Sequence, residues 1–123
     1  MFDVIFIMRD TKTLRRLGYN FFGNDDFFTN IQYWDKKKVL GELDIYGFKN
    51  DTLYLIEYKY LDNRRCRNKA MKQLVRAEKN AVVNGKPYFL IYAHGHKKMA
   101  KFEFLKHFDG NRVKYNNIQK RYR

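Results

Sequence analysis

The longest alternation of polar and hydrophobic positions in this chain lies in residues 41–60, GELDIYGFKNDTLYLIEYKY. Its first half alternates from Glu42 to Phe48, and residues 53–60 form a run rich in aromatic and aliphatic side chains. Residues 49–52 between them are turn-forming, with Asn50 and Asp51 as a two-residue loop. The pattern therefore predicts a β-hairpin in the middle of the chain.

This loop fixes the expected register of the hairpin. Opposed residues on two antiparallel strands share a face, and so do residues two apart on one strand. One face should therefore carry charged side chains at its open end and hydrophobic side chains near the turn. The expected pairs are Phe48 with Leu53, Tyr46 with Leu55, Asp44 with Glu57, and Glu42 with Lys59.

The segment after the hairpin has the period of an amphipathic helix. Residues 64–84 place Ala70, Leu74, Ala77 and Ala81 on one side, and Asn84-Gly85 is a helix stop. A basic stripe lies nearly opposite, with Gln73 at its border. We use the term basic stripe for Arg65, Lys69, Lys72, Arg76 and Lys79.

The apolar run 88–93 that follows this helix predicts a strand buried on both faces, parallel to the preceding strand through a right-handed crossover. Residues 3–8 fit either a strand or the start of a helix. The other expected elements are a helix from about residue 10 to Gly18 and strands at 31–34, 100–108 and 112–115. The fold class is thus α/β: a mixed β-sheet, an antiparallel meander plus one parallel crossover strand, flanked by helices.

Composition and charge narrow the class of protein. The 123 residues suit a single domain, 1–123, and the formal net charge of +13 favours a polyanionic partner, most often nucleic acid. No apolar run approaches the roughly 20 residues of a membrane span, so no membrane association is expected. Cys66 is the only cysteine, which excludes internal disulfides and is typical of a reducing, cytoplasmic compartment.

The acids at the open end of the hairpin have two interpretations. Opposed carboxylates such as Asp44 and Glu57 repel each other and destabilise a sheet, and a hard cation such as Mg²⁺ would remove that repulsion. A nearby lysine, Lys59, could then stabilise charge that develops in a reaction. In the alternative interpretation, the strand end is simply solvated and Glu42 pairs with Lys59.

Asp44, followed on the next strand by Glu57-Tyr58-Lys59, resembles the D…(D/E)xK signature of the PD-(D/E)XK nuclease superfamily. The segment from Glu42 to Lys59 looks especially like the small Holliday-junction-resolvase-type members, and the resemblance covers roughly residues 29–93. It implies a restriction-endonuclease-like core. The chain lacks a proline before Asp44, where the superfamily name has one.

The resemblance also implies roles for individual residues. Asp44, Glu57 and Lys59 would be catalytic, and Asp44, Glu57 and the main-chain carbonyl of Tyr58 would hold Mg²⁺, for which Mn²⁺ could substitute. The early acid that many members supply has no clear counterpart among Asp10, Asp25 and Asp26, and Glu42 is the other candidate for a metal ligand. The residues expected to contact nucleic acid are Arg65, Lys69, Lys72, Gln73, Arg76 and Lys79.

The expected function is therefore that of a Mg²⁺-dependent endonuclease that hydrolyses DNA phosphodiester bonds. The resemblance implies a structure-specific, resolvase-like substrate, but flap, nick or simple duplex cleavage is equally compatible with the site. RNA stays open as a substrate, and a homodimer is an option because resolvase-type members act on symmetric junctions. The alternative is a non-catalytic nucleic-acid-binding protein with a degenerate nuclease fold. A membrane-surface protein ranks last, because residues 64–84 offer mostly alanine as an apolar face.

Overall fold

A computed structural model describes residues 3–6, 11–80, 86–96, 98–110 and 113–115 of the chain. Within these ranges it contains seven strands and two helices. In chain order they are β1 (Asp3–Phe6), α1 (Thr11–Phe22), β2 (Phe27–Asp35), β3 (Lys38–Lys49), β4 (Thr52–Lys59), α2 (Arg64–Lys79), β5 (Tyr88–His94), β6 (Lys101–Phe108) and β7 (Val113–Tyr115).

The strands form one sheet whose spatial order is the same as their order in the chain, β1 to β7. The β4–β5 pair is parallel, and the other neighbouring pairs are antiparallel. Helix α2 connects the two parallel strands, as predicted for the crossover. The α/β class and the mixed sheet are confirmed, and the open choice for residues 3–6 is settled as a strand.

The central hairpin folds around the predicted loop. Asn50 and Asp51 both have positive φ angles, 53° and 61°, as a two-residue turn of this kind requires. Phe48 pairs with Leu53 and Tyr46 with Leu55, so the predicted register is confirmed near the turn.

Each face of the sheet carries one helix. On one face, Ala70, Leu74 and Ala77 of α2 pack with Leu53 and Leu55 of β4. On the other face, the hydrophobic side chains of α1 pack with strand residues such as Ile45, Ile56 and Ile91. Strand β5 is buried along most of its length, as expected for a strand covered on both sides.

Helix α1 runs four residues beyond its predicted end at Gly18. A Cβ atom at Gly18 would collide with the ring of Phe27, so this glycine permits close packing and does not end the helix. Gly23, whose φ is +76°, lies just beyond the actual end. Helix α2 starts at the N-cap Asn63, and the predicted residues 81–84 lie outside the described part of the chain. Neither described helix has the length and apolar character that a membrane crossing needs.

Candidate active site

Asp44 and Glu57, which we call the acidic pair, lie where β3 and β4 stop pairing. The described backbone ladder between the two strands ends at Ile45 and Ile56. Beyond it, the amide of Asp44 donates to Oε2 of Glu57 (3.0 Å), and the amide of Tyr58 donates to Oδ2 of Asp44 (2.8 Å). The predicted ladder pairs Asp44–Glu57 and Glu42–Lys59 are therefore not part of the ladder, because carboxylates bridge the strands there instead.

Glu57 is a buried acid, with 5% of its surface exposed. Burial raises its pKa well above the ordinary value, and the charge of Asp44 raises it further, while Lys59 acts in the opposite direction. Two carboxyl groups thus share a poorly solvated position and repel each other when both are ionised. A cation at this point would relieve both the burial cost and the repulsion.

Lys59 lies two residues beyond Glu57 on β4, on the same face of the sheet, and its side chain is half-buried. The structure therefore brings together Asp44, Glu57 and Lys59, the three residues that the sequence motif singles out. Their face is that of α2, because Leu53 and Leu55 alternate with Glu57 and pack against this helix.

Glu42 does not join this group. Its neighbours Gly41 and Leu43 face α2, so the Glu42 side chain points to the opposite face of the sheet. There Glu42 Oε1 accepts a hydrogen bond from the Gln32 amide at 3.4 Å. The predicted shared face fails because the alternation of β3 shifts after Leu43: Leu43 lies in the core beneath α2, whereas Ile45 lies in the core beneath α1.

Tyr58 contributes through its backbone, since its amide holds Asp44. Its side chain lies on the α1 face, where its hydroxyl donates to the carbonyl of Gly95 at 2.6 Å. A role for the Tyr58 carbonyl as a metal ligand stays a prediction.

Tyr33 lies near the acidic pair and Arg76 lies beside Tyr33, but no feature of the sequence marks Tyr33 as part of this site. Burial raises the pKa of Tyr33 to about 12; the charge of Arg76 acts against this and that of Glu57 adds to it, so both groups are near its hydroxyl. Gly41 permits this approach: a Cβ atom there would lie 2.9 Å from Cδ of Arg76 and closer still to the Tyr33 hydroxyl. A tyrosine on a strand is usually a core residue, so no sequence signal marks its position.

The basic stripe lies on the exposed side of α2. All five of its members are exposed, and Gln73 is half-buried at the border, as predicted. The opposite side, with Ala70, Leu74 and Ala77, is buried. Arg76 connects the stripe to the acidic pair through its position beside Tyr33. The basic stripe is therefore linked to the acidic pair through Tyr33, which both Arg76 and Glu57 influence.

A second charged group, which we call the arginine cluster, consists of Asp62, Arg67, His94 and Glu103. Arg67 is buried; its guanidinium contacts Glu103 at 2.6 Å and Asp62 at 3.3 Å, and it lies 4.6 Å above the centre of the Tyr92 ring. His94 Nε2 is 3.1 Å from Glu103. Burial alone would raise the pKa of Glu103, but hydrogen bonds from Arg67 and His94 lower it overall.

The ligand atoms of Asp62, His94 and Glu103 lie within 4.8 Å of one another, so this group could hold a metal ion. Arg67 already supplies a positive charge to both carboxylates, and an added cation would compete with it. The arginine cluster borders the acidic pair because Tyr92 and His94 pair with Glu57 and Lys59 across the parallel ladder. His94 is the last residue of β5, and no spacing in the sequence marks these four residues as a group.

Comparison of this chain with protein-family models, curated proteins and solved structures found no match.

Proposed function

We propose that the protein is a metal-dependent endonuclease that hydrolyses DNA phosphodiester bonds, as its resemblance to the PD-(D/E)XK superfamily implies. The observation that carries the proposal is the buried Glu57 carboxyl beside Asp44 at the divergence of two strands, with Lys59 on the same face. Two carboxylates that repel each other at a buried strand end destabilise the fold, and a bound cation would compensate this cost.

The residues of the acidic pair fit a hard divalent cation. Each carboxylate uses one oxygen for a backbone amide, Oδ2 in Asp44 and Oε2 in Glu57, and its second oxygen is of the type that Mg²⁺ prefers. Mn²⁺ binds the same donors. When bound, such an ion lowers the pKa of a coordinated water and polarises the scissile phosphate.

The surrounding residues have separate tasks in this proposal. Lys59 orients the attacking water and stabilises the negative charge that grows on the phosphate in the transition state. Arg76, whose Cδ lies beside Gly41 and the Tyr33 hydroxyl, binds a phosphate next to the cleaved one. The backbone amide of Tyr58 fixes the orientation of Asp44.

The substrate is proposed from charge. A net charge of +13 and the exposed basic stripe of α2 suit a phosphate backbone that passes over the acidic pair. Preference for a branched DNA such as a four-way junction, and a homodimer to match it, come from the resemblance alone.

A non-catalytic DNA-binding protein is the second candidate, and one observation favours it. Both carboxylates accept hydrogen bonds from backbone amides across the hairpin, so they also connect β3 with β4. This structural role would explain why both acids are present in a protein without catalytic activity.

Cleavage of labelled DNA separates the two candidates. Single-stranded, duplex, flap and four-way-junction DNA would be incubated at low salt with Mg²⁺, Mn²⁺ or EDTA. We expect metal-dependent cutting that Asp44→Ala, Glu57→Ala and Lys59→Ala each abolish while the fold survives by circular dichroism. Salt-sensitive binding without cutting of any substrate would support the binding protein instead, and full activity of Glu57→Ala would refute the assignment.

A further inference from the structure

Three apolar side chains at the end of the sheet where Lys59 lies are exposed to solvent. Tyr60 is 63% exposed, Leu61 59% and Met99 83%. Tyr60 and Leu61 directly follow Lys59 in the chain. The amide of Gly95 donates to the Tyr60 carbonyl at 3.1 Å, and Met99 lies beside Gly95. The segments that follow β4 and β5 are thereby held together, and we call Tyr60, Leu61 and Met99 the apolar rim.

Exposed basic side chains lie near the apolar rim. Arg65, Lys98 and Lys101 are exposed nearby, at the start of α2, in the segment after β5 and at the start of β6. Asp62 and Glu103, two acids at this end of the sheet, are bound by Arg67. Exposed aromatic and apolar groups within a cationic surface are typical of sites that bind single-stranded nucleic acid.

We propose that the apolar rim holds an unpaired nucleobase next to the scissile phosphate, with the ring of Tyr60 stacked on the base. The inference rests on the proposed nuclease function and deepens it. In an intact duplex each base is already stacked on both faces, so the rim gains a contact only where DNA is unpaired. The substrate class is accordingly DNA with unpaired bases beside the cut, such as a flap, a bulge or a branch point.

Binding without cleavage tests this proposal. The probe is a bulged duplex with 2-aminopurine at an unpaired position, titrated with protein in EDTA, and the reference is the fully paired duplex. We expect the bulged DNA to bind about tenfold more tightly, with quenching of 2-aminopurine fluorescence, since base stacking on one aromatic ring contributes on the order of that factor.

The variants isolate the ring of Tyr60. Tyr60→Ala should lose both the preference and the quenching and keep its affinity for the paired duplex, whereas Tyr60→Phe should keep all three. Tyr19→Ala is the matched control, because Tyr19 is 54% exposed on α1, on the other face of the sheet.

Two results would overturn the proposal: equal affinity of the wild type for bulged and paired DNA, or an unchanged preference in Tyr60→Ala. Because the assay needs no cutting, its outcome is independent of the cleavage test. A protein that cuts duplex DNA but shows no preference for unpaired bases would refute the role of the rim alone.

Discussion

Glu57 is a buried carboxyl group whose Oε2 accepts a hydrogen bond from the Asp44 amide, and Lys59 follows it two residues later on β4. The motif on the hairpin predicted Glu57, Asp44 and Lys59 together, because alternation on a strand places residues two apart on one face. The same alternation predicted Glu42 on this face, which is wrong. The alternation shifts after Leu43, and the regular pattern of polar and apolar residues does not reveal that shift. Bulges and shifts depend on packing across the sheet, which local pattern does not contain.

Replacing Glu57 by glutamine should stabilise the protein at neutral pH. Burial, and then Asp44, raise the pKa of Glu57 above its ordinary value of 4.5, so above that pH the folded state binds more protons than the unfolded chain. The free energy of unfolding therefore falls as the pH rises from about 4.5 to the raised pKa. Glutamine stays neutral, so Glu57→Gln should be more stable than the wild type near pH 7 in EDTA. We expect its free energy of unfolding to be higher by on the order of 1 kcal/mol and its melting temperature by several degrees.

With Mg²⁺ present, we expect the wild type to melt at a higher temperature than Glu57→Gln. Binding of the ion to ionised Glu57 should raise the melting temperature of the wild type and leave that of Glu57→Gln unchanged. Calorimetry at pH 5 and pH 8, with and without Mg²⁺, measures both effects. A wild type whose stability does not fall between these pH values in EDTA would contradict the buried, repelled state of Glu57.

At the scale of the elements, the hairpin, the α2 helix and the parallel strand β5 could be predicted from period and turn chemistry alone. The end of α1 could not, because Gly18 serves the packing of Phe27 and its sequence signature is that of a helix stop. Nor could the arginine cluster, whose members come from the segment before α2, from α2 itself, from β5 and from β6. Only the crossover brings them together.

The arginine cluster should hold the start of α2 against β5 and β6. Arg67→Met leaves the acids Asp62 and Glu103 without their buried positive partner, and the loss of one member of such a group costs about 3–5 kcal/mol. Urea unfolding measures this cost. Arg65→Met, an exposed position on the same helix, is the matched control and should change stability by less than about 0.5 kcal/mol. Equal small effects at both positions would show that the cluster contributes little to stability.

The basic stripe should act on affinity through charge. Lys69→Gln combined with Lys72→Gln removes two exposed cations from α2. The logarithmic dependence of DNA affinity on salt should then become shallower by about 2 if both lysines contact phosphates. Fluorescence anisotropy at several salt concentrations gives this slope. The control, Lys12→Gln with Arg16→Gln, removes two exposed cations from α1 on the other face, and a slope reduced as much there would show that net charge alone governs binding.

For the whole molecule, the strands of the sheet follow the order of the chain, and this order determines where the proposed site lies. The parallel pair β4–β5 places the arginine cluster and the apolar rim beside Lys59, and the acidic pair lies at the same end of the sheet, where β3 diverges from β4. The buried run of β5 after the α2 pattern was sufficient to predict the α/β class. The polyanionic partner that the net charge of +13 indicates stays a prediction. The convergence of these groups at one edge depends on side-chain directions that only the folded sheet defines.

The most direct test of the central claim is the rate of Mg²⁺-dependent DNA cleavage by two matched variants, Glu57→Ala and Glu42→Ala. Both remove a glutamate from the same hairpin, but Glu57 belongs to the acidic pair and Glu42 lies on the opposite face beside Gln32. The proposed site predicts that Glu57→Ala loses cleavage and Glu42→Ala keeps most of it. Cleavage retained in Glu57→Ala, or lost equally in both, would contradict a catalytic centre at Asp44, Glu57 and Lys59.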